Sequence, residues 1–199
     1  MFGPKVIEEF DSKYSGKIRV MQAWGYKYVS TGYWTQSGGI IKEVWAPAFK
    51  KIHAPKNTSW LILGLATGTI AKMIPRPAKI IGVEIDPVML AIGKKYFDLA
   101  KIPDLEIVQL DAKRYTQNTK NHFDYILVDL YCVDQLPEFV YSRKFIKKIK
   151  TIGRTTVFNH LFHTPDRKKA AEELLGIVKQ YYSHIIMLRS LTNLLIICS

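Results

Sequence analysis

Three features of the 199-residue sequence predict an α/β fold built on a mostly parallel sheet. From about Ser59 onward, short apolar runs alternate with amphipathic stretches, which is typical of strand–helix units around such a sheet. The last two apolar runs are joined by only a short link, which favours an antiparallel pair at the sheet edge. Hydrophobic residues make up 48% of the chain, enough for a substantial core. We therefore expect a Rossmann-like, seven-stranded sheet with an antiparallel edge hairpin and a small N-terminal β appendage.

Apolar runs and capping signals place the elements of this main region. Asp86 followed by Pro87 predicts a helix start, and so does Thr164 followed by Pro165. A first, short helix is expected to end at Pro75. The predicted strands are 60–63, 79–84, 105–110, 125–129, 155–161, 184–188 and 194–198, and the predicted helices are about 69–74, 87–97, 141–150 and 165–182.

The first 58 residues have a different pattern. Short strands are predicted at 17–23, 26–31 and 33–36, with turns at Trp24-Gly25 and Thr31-Gly32. A helix is expected over 40–52, although Pro47 lies inside it. We divide the chain into an N-terminal β-hairpin region with a linking helix, 1–58, and a Rossmann-like nucleotide-binding domain, 59–199.

Composition narrows the class of protein. The net charge of +12 and pI near 9.6 favour anionic partners, with nucleic acid and a nucleotide both open. Cys132 and Cys198 are the two cysteines and form no CxxC pair, so neither a disulfide framework nor a thiolate zinc site is expected. No apolar run reaches the roughly 18–20 residues that span a bilayer, and the start is charged, unlike a secretory signal. We expect a cytoplasmic protein without a membrane partner.

The segment after the first strand, Gly64-Leu65-Ala66-Thr67-Gly68-Thr69, is a candidate nucleotide loop. Its two glycines allow a tight turn and a close approach of backbone to ligand, and a following helix presents free N–H groups. We assign Gly64, Thr67 and Gly68 to cofactor binding. An ordinary strand-to-helix turn remains the alternative, because two glycines alone are a weak signal.

Two carboxylates at the ends of the next strands extend this candidate site, since ligands of open α/β sheets bind at the carboxyl ends of strands. Glu84 ends the second strand, 20 residues after Gly64, where it can accept both ribose hydroxyls of an adenosine. Its alternative is a carboxylate favoured by a helix start. Asp111 ends the third strand and can accept a hydrogen bond from an adenine amino group, or simply cap the residues that follow.

Asp129 ends the fourth strand, above the place expected for the reacting carbon. An activated donor chiefly requires positioning of the nucleophile, and a carboxylate can orient an amine and favour loss of its proton. We therefore take Asp129 as the catalytic residue, with a strand-end cap as the alternative. Tyr131, Asp134 and Gln135 follow on the same loop and are candidates for the acceptor pocket.

These segments together resemble the spermidine-synthase-like (polyamine aminopropyltransferase) branch of the class I S-adenosylmethionine-dependent methyltransferase fold. The similarity runs from about Gly32 to the end of the chain. The matching segments are GYWTQSGG (32–39), LILGLATGTIA (61–71), VEIDPVMLAIGKKYF (83–97), LEIVQLDAKRY (105–115) and FDYILVDLY (123–131).

The resemblance implies roles for single residues. It places Glu84 at the ribose, Asp129 at the family's essential aspartate, and Gln36 at a substrate-side glutamine, which we group with the donor-binding residues. The chain also departs from the family pattern. Thr67 stands where the family has a loop aspartate, Cys132 replaces a second acidic residue unless Asp134 substitutes, and 41–43 replace Tyr-His-Glu.

The resemblance implies a transferase that binds S-adenosylmethionine or its decarboxylated form and passes an aminopropyl or methyl group to a small amine, with a polyamine as one option. Acidic groups expected at the acceptor are Asp129, Asp134, Glu138 and Glu43. No metal is expected. Asp129 and Asn159 could lie on adjacent strand ends, but a third oxygen ligand is not evident. His160 and His163 near a strand end are more often packing or loop residues than metal ligands. A homodimer is compatible with the sequence.

Two other functional classes stay open. An RNA or DNA methyltransferase would use the basic stretch 143–150 for phosphate contacts. Its apolar residues recur at helical spacing, however, so a core-facing helix with a solvated basic face is the simpler interpretation. A non-catalytic relative would keep the fold as a binding or assembly module.

Overall fold

The computed structural model describes residues 3–23 and 25–199, which form two sheets. The small antiparallel sheet consists of β1 (Lys5–Ser12), β2 (Gly16–Ala23), β3 (Tyr26–Thr31) and β4 (Trp34–Gly38). The large sheet consists of β5 (Thr58–Leu63), β6 (Ala78–Glu84), β7 (Leu105–Gln109), β8 (Phe123–Val128), β9 (Gly153–Leu161), β10 (Ile185–Ser190) and β11 (Asn193–Cys198).

The large sheet has the strand order β10-β11-β9-β8-β5-β6-β7. Strands β5 to β9 pair in parallel, whereas β11 pairs antiparallel with both β9 and β10. The α/β fold class, the seven strands and the antiparallel edge hairpin predicted from the sequence are therefore confirmed.

Five α-helices accompany the sheets: α1 (Ile41–Ile52), α2 (Pro87–Tyr96), α3 (Ala112–Asn118), α4 (Arg143–Ile152) and α5 (Pro165–Val178). Asp86 and Thr164 cap α2 and α5 through their side chains, as predicted. The helix expected over 69–74 is only a 3-10 turn at Ala71–Met73, because the glycine loop and Pro75 leave too few residues for an α-helix.

Other differences concern the termini of elements and one additional strand. Strand β1 was not predicted, because its charged residues interrupt the apolar pattern. Helix α5 ends at Val178, four residues before the predicted end. The predicted turn at Trp24-Gly25 includes a residue that lies outside the described residues, whereas Gly32 lies in a turn, at φ 56°.

Helices cover both faces of the large sheet. One face packs against α4 and α5, and the other packs against α1 and the 3-10 turn after β5. Helix α4 buries Phe145, Ile146 and Ile149 and exposes Lys147, which fits the core-facing interpretation of the basic stretch. In residues 3–23 and 25–199, no helix has the length and apolar character needed to cross a bilayer.

The N-terminal segments share cores with the main domain. Trp45 of α1 is fully buried in the same cluster as Trp60 of β5, so the linking helix forms part of the main core. The small sheet packs Ile18, Val20 and Val29 onto α2. The division at residue 58 therefore stays a prediction about chain organisation, while the packing across it is continuous.

Asp86 fastens the small sheet to the main domain. Its Oδ1 caps α2 by accepting the Val88 N–H at 2.9 Å, and its Oδ2 accepts the hydroxyls of Ser12 and Ser15 at 2.6 and 2.7 Å. These serines bracket the β1–β2 turn. One buried carboxylate therefore serves a helix start and a hairpin turn at the same time.

Replacing Asp86 by Ala should lower the free energy of unfolding by about 1–3 kcal/mol, because one cap and two further hydrogen bonds are lost. Urea denaturation measures the change. Asp11→Ala, on the exposed part of the same hairpin, is the control and should shift stability by less than about 0.5 kcal/mol. Equal, small effects of both substitutions would contradict the fastening role of Asp86.

Candidate active site

A cavity of about 580 Å³ opens at the carboxyl ends of β5 to β9, a volume typical of small-molecule sites. The strand order reverses between β5 and β8, which is where open α/β sheets bind ligands. Six predicted site residues meet at its wall: Gln36, Gly64, Glu84, Asp111, Asp129 and Tyr131.

Gly64 is required by the close approach of two strand ends. Its φ is +91°, and a Cβ at this position would lie 2.1 Å from the carbonyl oxygen of Asp129. The two strands pair in parallel up to Leu63 and Val128, and the Asp129 N–H donates to the Leu63 carbonyl at 2.8 Å, so the next residues lie side by side with no room for a side chain at position 64. This close contact brings the predicted nucleotide loop against the predicted catalytic residue.

Glu84 holds the nucleotide loop from the end of β6. Its Oε2 accepts the Ala66 N–H at 2.8 Å, and its Oε1 accepts the Asp86 N–H at 2.9 Å. Burial raises the pKa of this carboxyl, while the backbone hydrogen bonds from Asp86 and Ala66 oppose the rise. The side chain lies on the cavity wall beside Gly64, where its remaining lone pairs can accept hydroxyl groups of a ligand.

Asp111 has the capping role given as the alternative from the sequence, and it lies where the predicted ligand contact would require it. Its Oδ1 caps α3 by accepting the Arg114 N–H at 2.9 Å, and the residue also lines the cavity. Because the cap uses one carboxylate oxygen, the other remains suitable for a ligand.

Asp129 is held by two donors from distant parts of the chain. Asn159 Nδ2 donates to its Oδ1 at 2.8 Å, and Trp45 Nε1 donates to its Oδ2 at 3.3 Å. Burial raises the pKa of Asp129 to about 6, although both hydrogen bonds act in the opposite direction. A carboxylate with such a pKa can exchange a proton with an amine near neutral pH.

A chain of amides fixes this arrangement. Asn193 Nδ2 donates to Asn159 Oδ1 at 2.8 Å, so the amide of Asn159 is oriented with its nitrogen towards Asp129. Tyr131 donates its hydroxyl to the carbonyl of Asn159 at 2.9 Å. Burial, followed by the nearby Asp129, raises the pKa of Tyr131 well above its usual value, so this phenol stays protonated.

Four predicted site residues do not line the cavity. Thr67 is fully buried and donates its hydroxyl to Ser37 Oγ at 2.7 Å, linking the loop to β4. A Cβ on Gly68 would meet the side chain of Leu99 at 2.6 Å, so this glycine allows tight packing of the loop on the core. In the structure both residues hold the loop in place, and their assignment to donor binding stays a prediction.

Asp134 and Gln135 lie beyond the cavity in the loop after β8. Asp134 pairs with Arg167 Nη2 at 2.6 Å and so holds the loop to α5. Gln135 exchanges two backbone hydrogen bonds with Cys132, at 2.9 and 3.1 Å. Both residues shape the loop that carries Tyr131, and neither is a wall residue of the described cavity.

The small sheet supplies the roof of the cavity. Tyr14 and Ser15 of the β1–β2 turn line it, and so does Gln36 of β4. Gln36 Nε2 donates to Thr31 Oγ1 at 2.8 Å and to the carbonyl of Val133 at 2.7 Å. The side chain predicted to face a ligand therefore also connects the roof to the loop after β8.

The wall of the cavity is acidic although the chain is basic. Glu84, Asp111 and Asp129 are on the wall, and no Lys, Arg or His is among the described residues that line it. The other acidic residues considered for an acceptor, Glu43, Asp134 and Glu138, are not wall residues. The site is electrostatically suited to cationic ligands.

Several residues on the cavity wall, or in contact with a wall residue, could not be identified from the sequence. Trp45, Leu191 and Asn193 come from a helix and an edge hairpin that carry no motif. Asn159 was recognised as a polar strand end, but as a metal ligand and not as a donor to Asp129. Its position at the end of β9, next to β8 in the sheet, is the signal from which that contact follows.

The two histidines named above as possible metal ligands make separate structural contacts. His160 is buried and contacts the Tyr141 hydroxyl at 2.7 Å, whereas the His163 ring packs on Trp34 at 5.2 Å. Across 3–23 and 25–199, no three His, Cys, Asp or Glu side chains are grouped to hold a metal ion.

Comparison with known proteins finds similarity to aminopropyltransferases and to methyltransferases; among the latter, an eEF1A lysine and N-terminal methyltransferase homolog of Drosophila melanogaster is 29% identical over 141 residues, which cover 63% of this chain and 21% of the relative. A polyamine aminopropyltransferase of Vibrio vulnificus is 30% identical over 105 residues, which cover 49% of this chain and 35% of the relative. A probable spermidine synthase from Corynebacterium glutamicum superposes with a TM-score of 0.78 and 18% identity, covering 98% of this chain and 80% of that one.

Human methyltransferase-like protein 13, solved in complex with SAH, superposes with a TM-score of 0.60 at 20% identity, covering 80% of this chain and 78% of that one. No protein-family model matches. The chain spans 35% or less of the length of the curated relatives that it matches. The resemblance to the spermidine-synthase-like branch is confirmed, and so is the class I methyltransferase-like fold.

The raised pKa of Asp129 predicts a pH-dependent stability. The unfolded chain loses this proton near the usual value of 3.8, whereas the folded chain keeps it up to about pH 6. The contribution of Asp129 to stability is therefore complete below about pH 4 and is lost as pH rises through 6. The stability of Asp129→Asn relative to the parent should increase over this range, as measured by urea unfolding at several pH values.

Asp124→Asn is the matched control, because hydrogen bonds from Ser59 lower the pKa of Asp124. Its stability relative to the parent should fall with rising pH, within a window at and below the usual pKa of 3.8. If the stabilities of both variants relative to the parent change with pH in the same direction, then burial does not raise the pKa of Asp129.

Proposed function

We propose that this chain is a transferase that binds an S-adenosyl sulfonium donor and passes a carbon group from it to a small amine. The observation that carries the proposal is the cavity at the strand ends, whose wall has three carboxylates and no basic side chain among the described residues. A sulfonium and an amine are both positively charged at neutral pH, and such a wall favours both.

The wall residues from β5, β6 and β7 suit the nucleoside part of the donor. Glu84 would accept the ribose hydroxyls, and Asp111 would accept the adenine amino group through the oxygen not used by its cap. Gly64 lies on the wall between these residues and Asp129, and its missing side chain allows the strand ends to approach closely. Gln36, on the part of the small sheet that covers the cavity, would also contact the donor.

Asp129 would act on the acceptor. Its two fixed hydrogen bonds orient the carboxylate, which accepts a hydrogen bond from the amine and so aligns the nitrogen lone pair with the donor carbon. The new N–C bond forms as the C–S bond breaks, and that electron pair remains on sulfur as a neutral thioether. The acceptor, an ammonium at neutral pH, first passes one proton through Asp129 to water, which frees the nitrogen lone pair for attack, and the alkylated product amine carries the positive charge.

The absence of a basic wall residue among the described residues favours the decarboxylated donor, and hence aminopropyl transfer. A methionine carboxylate would need a partner beside three acidic groups. Methyl transfer is the second candidate, because the start of α1, at Ile40 and Ile41, reaches the cavity and free helix N–H groups can bind a carboxylate.

The remaining expectations from the sequence stay predictions. An RNA or DNA methyltransferase is less well supported, because the acidic wall would repel phosphates. A non-catalytic relative would need neither donor. The fold does not test three further predictions, namely a cytoplasmic location, assembly as a homodimer and a polyamine acceptor.

Replacing Glu84 by Gln should weaken donor binding by about 1–3 kcal/mol, because a charge-assisted hydrogen bond to the ribose is lost. Isothermal titration measures the change. Because the Gln amide must also face the Ala66 or Asp86 N–H, unfolding is measured in parallel to show that the variant is folded. Glu106→Gln, exposed on β7, should bind as the parent does, and unchanged affinity of Glu84→Gln would contradict the ribose assignment.

Titration with S-adenosylmethionine and with its decarboxylated form tests the donor. We expect the decarboxylated form to bind at least about tenfold more tightly, since burying an unpaired carboxylate is unfavourable. Asp129→Asn should bind the donor as the parent does and lose about 100-fold or more in turnover. Binding of neither donor would refute the proposed function, and tighter binding of S-adenosylmethionine would select methyl transfer.

A further inference from the structure

We infer that the acceptor is a monoamine with an apolar body, not a polyamine; this inference rests on the proposed function and names its substrate class. Wall residues near α1, β9 and the β10–β11 hairpin form what we call the acceptor half: Trp34, whose ring packs on His163 after β9, Val44, Asn159, Leu161, Leu191 and Asn193. In the large sheet, β9, β11 and β10 lie beyond β8 from the strands assigned to the donor, and α1 contacts both β10 and β11.

The acceptor half contains no charged side chain of its own among the described residues, and Asp129 is the carboxylate that borders it. The three acidic residues that would suit further ammonium groups are elsewhere: Asp134 is paired with Arg167, and Glu43 and Glu138 are exposed outside the cavity. One amine can be satisfied by Asp129. A second ammonium would be enclosed by uncharged walls without a counter-charge, which is strongly unfavourable.

Apolar character is also pronounced at the rim of the whole cavity. Exposed large hydrophobic side chains in the described chain are concentrated there: Tyr14, Tyr33, Ile40, Val133 and Leu191 line the cavity, whereas Val6, Tyr26, Ile186 and Met187 lie elsewhere. Exposed apolar surface gathered at one concave site marks a surface that an apolar partner covers. A ligand whose body is hydrocarbon or aromatic fits that requirement.

Backbone strain at the rim supports the same conclusion. Leu191 has φ +53° at the first central position of the two-residue β10–β11 turn, where glycine is the favoured residue. Val133, a β-branched residue, has φ +61° in the loop after β8. Both positions keep an apolar side chain on the cavity wall at a conformational cost that glycine would avoid.

A matched pair of acceptors tests the inference. n-Pentylamine and 1,4-diaminobutane have the same number of heavy atoms and differ in one terminal group, methyl against ammonium. With the decarboxylated donor and with S-adenosylmethionine, transfer products are quantified by mass spectrometry. We expect kcat/KM for n-pentylamine to exceed that for 1,4-diaminobutane by about tenfold or more. Equal or higher kcat/KM for the diamine would overturn the inference.

A charge-adding variant tests the location. Leu191→Asp places a carboxylate on the rim and suits the turn, because aspartate tolerates positive φ. It should shift the ratio of the two kcat/KM values towards the diamine by about tenfold. Met187→Asp is the control, since Met187 and Leu191 are each 54% exposed but Met187 lies outside the cavity. An unchanged ratio in Leu191→Asp, or equal shifts in both variants, would contradict the assignment of the acceptor half.

Donor titration separates the two proposals. If the donor binds and neither amine is alkylated, or if only a lysine-containing peptide is, the monoamine inference fails while the donor site stands. If neither donor binds, the proposed function fails and the inference falls with it. Transfer to n-pentylamine together with rejection of the diamine supports both.

Discussion

The close approach of the ends of β5 and β8 is the constraint on which the candidate site depends. With a Cβ at Gly64, the 2.1 Å contact to the Asp129 carbonyl would force the strand ends apart. Because they can approach so closely, a loop with positive φ at Gly64, Ala66 and Gly68 starts directly beside Asp129. Glu84 then holds that loop through the Ala66 N–H. One missing side chain therefore allows the loop and the Asp129 carboxylate to lie on the same cavity wall.

The second requirement is a roof that comes from a different part of the chain. Asp86 joins the β1–β2 turn to the start of α2, and Gln36 joins β4 to the loop after β8. The buried hydroxyl of Thr67, in the loop after β5, donates a hydrogen bond to Ser37 Oγ of β4. These polar contacts complement the apolar packing of the small sheet on α2, so the orientation of the roof is specified by hydrogen bonds as well as by burial.

The sequence predicts much of the large sheet because parallel strands are read from local apolar runs, and their ends place Glu84, Asp111 and Asp129 on one edge. It could not predict that Trp45 donates to Asp129, since 84 residues separate them and no local pattern fixes the orientation of α1. Thr67 was placed on the ligand side because a loop sequence does not reveal which way each side chain turns. Ala66 has φ +47°, a left-handed conformation that the residue type does not indicate, and the next side chain, that of Thr67, is buried.

The contrast between an acidic cavity wall and a chain of net charge +12 affects how ligands arrive. The long-range field of the molecule repels a cation, and attraction begins only at short range within the cavity. Added salt screens the outer field over a Debye length of about 8 Å at physiological ionic strength and leaves enclosed contacts less affected. The association rate of a cationic ligand should therefore rise with moderate salt, the reverse of ordinary electrostatic steering.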